Sequence, residues 1–327
     1  MKTGRHPLVS NGQAKLPLPS RQCDTRHTPD DGGPVPNAAH AVPDQPSTRP
    51  RVGVLGLGAM GGPIARFLLE AGVEVSVVDV DPSAVAGAVK AGAEQADGPG
   101  ALAEACPVLL VILPTDADVQ EACLRSGGLL AATSAGSTVL ICSSVRPRTC
   151  EEIAAAAPAG VAVLDAALTG GVRGAEAGEI NLLVGGDAAA LDAVRPVLEP
   201  WTSGVHHLGR LGSGQVAKTA NNLIHWAQIV AITESFELAR RYGVSAPTLR
   251  AALTQGPTDS RTMRELEDMR LTWYVKDIEN AFTMAQAVDW PLPGAEHSLA
   301  AMRHISVGQL ALLLDGEDPQ MNGARMP

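Results

Sequence analysis

Three short stretches hold residue types whose spacing suits chemistry. The first, GLGAMG, sets Gly56, Gly58 and Gly61 in the pattern G-x-G-x-x-G, with Leu57, Ala59 and Met60 between them. An apolar run, RVGVL, precedes it, and PIARFLLEAG follows with helical spacing. A second apolar run, VEVSVVD, ends in Asp79. In that setting the first glycine permits a tight turn, the second lets backbone approach a pyrophosphate, and the third packs helix on strand. The helix N-terminus then stabilises the phosphate charge. Asp79, 18 residues beyond Gly61, is suited to accept the ribose hydroxyls of NAD and to repel the 2′-phosphate of NADP. NAD is therefore the expected cofactor. An ordinary glycine-rich turn is the plainer alternative, and no G-x-x-x-x-G-K-[ST] phosphate loop occurs. Asp81, just before Pro82, is better suited to capping the turn that follows.

The second stretch, LTGGVRGAEAGE, leaves an apolar run and offers Thr169, Gly170 and Gly171 as a turn. Its hydroxyl and amides suit a carboxylate, unless the turn exists for its conformation alone. The third, GSGQVAKTANN, carries Lys218 and, four residues on, Asn222. On a helix these two share a face. Lys218 either lies on a solvated face or points into a cleft and moves a proton.

Strands and helices must hold these residues. From Arg51, β-branched runs (RVGVL, VEVSVVD, PVLLVIL, STVLICSS, VAVLDAAL) alternate with alanine-rich helical segments, and INLLVGG adds a last strand. Such alternation predicts a doubly wound, parallel α/β sheet of the Rossmann type, covered on both faces. After Gly212 the alternation stops. QVAKTANNLIHWAQIVAITESFELARRYGV reads as one long helix, and APTLRAALTQ, VKDIENAFTMAQAVDW and GAEHSLAAMRHISVGQLALLL as further helices. The expected organisation is a disordered extension over 1–50, a dinucleotide-binding domain over 51–212, an all-helical domain over 213–316 and a flexible tail over 317–327. The extension holds nine of the 24 prolines, no Phe, Trp or Tyr and no sustained hydrophobic period, too little to offset its ordering entropy.

Composition excludes several classes. A net charge of −10 and 3% aromatic residues argue against nucleic acid or an anionic membrane as partner. No apolar run reaches the ~18 residues of a membrane span, and residues 1–20 lack the core of a signal peptide. The five cysteines (Cys23, Cys106, Cys123, Cys142, Cys150) have no CxxC spacing. They read as reduced thiols of a cytoplasmic protein, with no metal site.

Taken in order, GVLGLGAMGGPIA, DAALTGGVRGAEAGEINLLVGG, GSGQVAKTANN and KDIENA resemble the motifs of the β-hydroxyacid dehydrogenases, the family of 3-hydroxyisobutyrate dehydrogenase and tartronate semialdehyde reductase. The likeness spans about residues 51–315. It implies a dinucleotide-binding domain followed by an all-helical one, and a small anionic hydroxy-acid substrate. By this resemblance Lys218 is the catalytic lysine and Asn222 a substrate contact. Thr169 replaces the serine of the substrate turn. Lys276 reaches the cofactor from the helical domain, and Leu113 and Pro114 line the cofactor channel. Three departures stand out. Residues 142–145 read CSSV where the family has an Asp-Ser-Ser-Thr run, so Val145 replaces the threonine near the nicotinamide. Arg146 follows where an apolar residue is usual, and Ala167 replaces a proline. Arg146 and Arg173 are two further cations for a carboxylate, sulfonate or phosphonate, each more simply a solvated arginine.

The expected reaction is hydride exchange between NAD and the carbinol carbon of a small β-hydroxy acid, with Lys218 as general acid/base. Desolvation and nearby Lys276 would lower the lysine from its ordinary pKa of about 10.4. Imine reductases share the architecture, but typically replace this lysine and favour NADP. A decarboxylating sugar-acid dehydrogenase would have a longer helical domain, and a non-catalytic NAD-binding sensor would bind without turnover. The short helical domain and long helix also point to a homodimer or homotetramer.

Overall fold

A computed structural model of the chain describes residues 49–315. The extension expected over 1–50, apart from its last two residues, and the tail expected over 317–327 lie outside them. The first half alternates as expected: β1 (Val52–Leu55), α1 (Gly61–Glu70), β2 (Val75–Val78), α2 (Pro82–Lys90), β3 (Glu94–Gln95), α3 (Pro99–Ala105), β4 (Val108–Val111), α4 (Asp116–Leu124), α5 (Leu129–Ala132), β5 (Thr138–Ile141), α6 (Pro147–Ala156) and β6 (Ala162–Thr169). Then come α7 (Gly171–Ala177), β7 (Ile180–Gly185), α8 (Ala188–Leu198) and β8 (Thr202–His207).

The eight strands form one sheet in the order β3-β2-β1-β4-β5-β6-β7-β8. Strands β1 to β6 are mutually parallel. Each central strand is apolar on both faces because each face has its own core. Val108 and Leu110 of β4 join Val54, Val77, Ile64 and Leu68 on one side. Leu109 and Val111 join Leu102, Val119, Ile141 and Ile153 on the other. This is the period-two alternation of a sheet buried on both sides.

The last strands depart from the expected parallel pattern. β7, the INLLVG segment, runs antiparallel to β6. Only ten residues, Gly170–Glu179, join them, fewer than a parallel crossover needs. Left-handed glycines at 170 and 178 bracket the short helix between them and turn the chain back. β8 pairs parallel to β7 and was not expected, because TSGVHH has no apolar run and lies half exposed.

Register gives β6 a special place. Ile141, the last residue of β5, pairs with Asp165, so Ala166–Thr169 overhang the end of β5. There they pair with Val184 to Asn181 of β7.

The remaining described elements are helical: α9 (Ser213–Arg241), α10 (Ala246–Leu253), α11 (Arg261–Arg264), α12 (Tyr274–Ala287), α13 (Pro293–Met302) and α14 (Val307–Asp315). α9 is the spine, about 43 Å long for its 29 residues. Its Trp226, Ile229, Val230 and Phe236 pack with Leu266, Ile278, Met302, Leu310 and Leu313 in a third core. The single helix expected from Gly294 to Leu314 is instead two. Ser306 starts a new helix through a reciprocal cap: its amide donates to Gln309 Oε1 (2.9 Å), and the Gln309 amide donates to its hydroxyl (3.3 Å).

Candidate active site

The glycine loop after β1 is built by two steric requirements and one vacancy. Gly56 has φ +100°, and a side chain there would run into the Ile112 carbonyl. One at Gly61 would run into the carbonyl of Gly56. At Gly58 a Cβ would meet no atom within 4 Å, so the protein's own packing does not demand that glycine. Gly58 and Ala59 are exposed and Met60 half-buried. No side chain caps the start of α1; its Gly62 amide donates to the Gly58 carbonyl (3.1 Å) and Pro63 has no N–H. Asp79, at the end of β2, faces the same loop: Oδ2 accepts from the Leu57 amide (2.5 Å) and Oδ1 from the Asp81 amide (2.8 Å). Asp81 caps α2 through the Ser83 amide at 2.8 Å. An open rim, an uncapped helix end and a carboxylate beside them fit the pyrophosphate and ribose of a dinucleotide.

The loops after β4 and β5 continue this edge. The Leu113 amide donates to Ser143 Oγ (2.7 Å). The Pro114 and Ser144 carbonyls both accept from Lys276 Nζ, at 2.7 and 3.1 Å. Lys276 thus ties α12 to the sheet's carboxyl edge. Val145, expected beside the nicotinamide, is only 4% exposed, and its side chain lies in the core beneath the loop. It presents backbone, and its amide donates to Gln215 Oε1 (3.2 Å).

Lys218 sits half-buried on α9. Among the described residues none accepts a hydrogen bond from it or forms an ion pair with it. Burial pushes its pKa below the ordinary lysine value; Asp277 opposes that shift and Lys276 adds to it. Asp277 lies on α12 and accepts from the Trp226 indole N–H (3.2 Å). Burial raises its own pKa, against the pull of Lys218, Trp226, Lys276 and Asn222. Asn222 is buried and its Oδ1 accepts from Asn221 Nδ2 (3.1 Å). One further turn along α9, His225 Nδ1 bonds Thr262 Oγ1 (2.9 Å). Burial and Lys218 both hold that imidazole toward neutrality.

The turn after β6 has Gly170 and Gly171 at φ +113° and +66°, and α7 starts there without a side-chain cap. Thr169 is buried and its hydroxyl donates to the Asn181 carbonyl (2.7 Å), so toward a ligand it offers lone pairs. The two arginines offered as extra cations are already engaged. Arg146 donates from its amide (3.0 Å) and Nε (3.3 Å) to Asp116. Burial pushes Asp116 up, but the bonds from Thr149 and Arg146 outweigh it and hold that carboxyl below its ordinary range. Arg173 pairs with Asp268 (2.6 Å) and Glu265 (3.4 Å).

Several participants carry no signal that sequence reasoning used. Asp277 lies inside KDIENA, yet only the packing of α12 on α9 brings it to Lys218. Gln215 is 1% exposed and also donates to the Ser143 carbonyl (2.8 Å). Asp165 is wholly buried at the root of α9. Cys106, Cys123, Cys142 and Cys150 are free and buried, and burial pushes Cys123 and Cys142 up to about 12, far from reactive thiolates. Among the described residues no cluster of His, Cys, Asp or Glu could hold a metal, and no helix is long and apolar enough to cross a membrane.

Known proteins share this sequence pattern and fold. Residues 51–209 match the family described as the NAD binding domain of 6-phosphogluconate dehydrogenase. Residues 212–311 match the one described as NAD-binding of NADP-dependent 3-hydroxyisobutyrate dehydrogenase. The chain is similar to 3-hydroxyisobutyrate dehydrogenase of Pseudomonas aeruginosa, 38% identical over 205 residues, which is 62% of this chain and 69% of that one. It is equally similar to the NAD-dependent L-serine dehydrogenase of the same organism, 38% identical over 200 residues, 61% of this chain and 67% of that one. The solved structure of Mycobacterium tuberculosis 3-hydroxyisobutyrate dehydrogenase with L-serine superposes with a TM-score of 0.70 at 30% identity, covering 78% of this chain and 93% of that chain. The two family matches meet where α9 begins, and the chain belongs to the β-hydroxyacid dehydrogenase family, NAD-dependent oxidoreductases acting on CH–OH groups.

Proposed function

We propose that the protein interconverts a small β-hydroxy acid, or its sulfonate or phosphonate analogue, and the matching semialdehyde or ketone, with Lys218 as general acid/base. The observation that carries this reading is Lys218 itself: half-buried, without a hydrogen bond from any described residue, and lowered in pKa. NAD, when bound, accepts the hydride in oxidation and returns it in reduction. The backbone of the open rim from Gly58 to Gly61, at the start of α1, takes the pyrophosphate, while Asp79 takes the ribose hydroxyls and disfavours a 2′-phosphate. Leu113, Pro114 and the Val145 backbone flank the nicotinamide, and Lys276 holds those loops in place. The amides of the Thr169–Gly171 turn bind the acid group. Asn222 orients the hydroxyl toward Lys218. In oxidation neutral Lys218 takes the hydroxyl proton, and in reduction its ammonium delivers one to the forming alkoxide. The substituent on the middle carbon is free to vary, as 3-hydroxyisobutyrate and L-serine differ there in the two relatives' names.

The test is Lys218→Ala, assayed over small β-hydroxy acids with NAD. The expected result is a fall in turnover of at least about 10²-fold, with NADH binding within about twofold of the native protein. Near-native turnover would sink the assignment. Two copies of the chain are proposed to pair through the open side of α9, where Val216, Ile224 and Leu238 are exposed.

A further inference from the structure

Asp165 is a buried carboxylate that the proposed reaction does not use. It is 0% exposed, in the middle of β6. Its Oδ1 accepts from the Gly212 amide (2.6 Å) and its Oδ2 from the Gln215 amide (2.8 Å). Burial pushes its pKa up and the amides of Gly212 and Gln215 pull it back; with both oxygens facing donors, the hydrogen-bond geometry is that of the ionised form. A buried charge is costly unless paired, and here its counterpart is the positive end of a 29-residue helix. The helix needs it in turn, because its N-cap is Gly212, in the left-handed region at φ +91° and with no side chain to cap the turn.

The surroundings are shaped to this contact. A side chain at Gly214 would lie 2.8 Å from Asp165 Oδ2 and would strike the Leu183 carbonyl. One at Gly185 would strike Asp165 Oδ1. Gln215, in the same helical turn, grips the loop after β5 through the Ser143 carbonyl and the Val145 amide. Lys218 follows Gln215 by three residues, so less than one turn of helix separates the joint from the amine.

We propose that Asp165 is a positioning residue: its carboxylate roots the first turn of α9 in the sheet and so fixes Lys218 against the cofactor edge. This rests on the reading of Lys218 as the proton-transfer group. Asp165→Asn keeps the shape but turns one accepting oxygen into a donor that faces an N–H. Displacement of a reacting group by 1 Å can cost about 10²-fold, so kcat should fall by about that factor while KM for NAD and the NADH Kd stay within about twofold. A purely structural cap would instead lower the melting temperature and leave kcat per folded molecule unchanged. Gly214→Ala, which pushes the helix off the same carboxylate with the charge intact, should give the same split between kcat and KM. Native-like kcat in either folded variant, or loss of NADH binding with kcat retained, overturns the proposal. Should neither variant fold, amide hydrogen exchange on the native protein decides. Gly212 and Gln215 exchanging as slowly as the β6 core supports the joint, and exchange as fast as a frayed helix end overturns it. Lys218→Ala, run alongside, separates the two readings: turnover retained there removes the role of Lys218, while turnover lost there but kept in Asp165→Asn removes only the role of Asp165.

Discussion

At the scale of single residues, burial, Asp277 and Lys276 act unequally on the charge of Lys218. Oxidation needs the neutral amine, so its rate climbs as pH rises through the lysine's pKa; reduction needs the ammonium and falls through the same pKa. Asp277→Asn removes the attraction that favours the ammonium, so the pKa drops and the rising limb of kcat/KM for oxidation moves to lower pH. Lys276→Met removes a repulsion and moves it to higher pH. Profiles shifting in the same direction in both variants would contradict this account. Stability and oxidation rise with pH together, although the lysine that serves the second weakens the first. A lysine whose folded pKa lies below its unfolded value destabilises the fold at neutral pH, and that cost fades as pH rises from the folded pKa toward the ordinary 10.5. Lys218→Met should therefore melt higher than the native protein at pH 7, on the order of 2–4 °C per kcal/mol released, while losing turnover. Thermal melts at pH 7 and pH 10 check this, the gap narrowing at the higher pH. Lys218 and Asn222 were legible in sequence because helical spacing is local. Asp277, Gln215 and Asp165 were not, because each acts across contacts that only tertiary packing creates.

Among the elements, the glycine loop separates what folding needs from what a ligand needs. Gly58→Ala adds a methyl where nothing lies within 4 Å, so the melting temperature should hold while NADH affinity falls by about tenfold, roughly 1.4 kcal/mol. Gly61→Ala drives a methyl into the Gly56 carbonyl and should instead lower the melting temperature. A paired NADH titration and melt tells them apart, and equal effects on both would refute the distinction. The loop, five of the six parallel strands and the long α9 could be read in advance, since period-two and period-3.6 patterns with flanking glycines are written in adjacent residues; the two exposed polar residues of β3 carry no such pattern. Three further features could not. The reversal at β7 depends on connection length and left-handed glycines, β8 lacks an apolar run because it is half exposed, and the break between α13 and α14 turns on two side chains, Ser306 and Gln309, within an otherwise helical run.

Across the whole molecule, α9 has one side in the helical core and another bare. Val216, Ile224 and Leu238 are 50%, 60% and 60% exposed, and with Ala220, Ala227 and Ala231, also exposed, they form a stripe at helical spacing. A patch of this kind is suited to a second copy of the chain. Sedimentation should find a dimer or tetramer, and Ile224→Glu with Leu238→Glu should shift it to monomer; a native monomer would refute the pairing. One further property follows from the overhang of β6. Asp165, which roots the helix bearing the amine, and Thr169, which opens the turn proposed to grip the acid, are four residues apart on a single strand, about 13 Å at the usual rise. That strand is a ruler. On the readings proposed above, it fixes the distance between the root of the helix bearing Lys218 and the turn proposed to bind the acid. Two residues inserted into the overhang, matched by two in β7, would keep the alternation of faces and lengthen the gauge by about 7 Å. The kcat/KM ranking over hydroxy acids of increasing chain length should then move toward the longer ones.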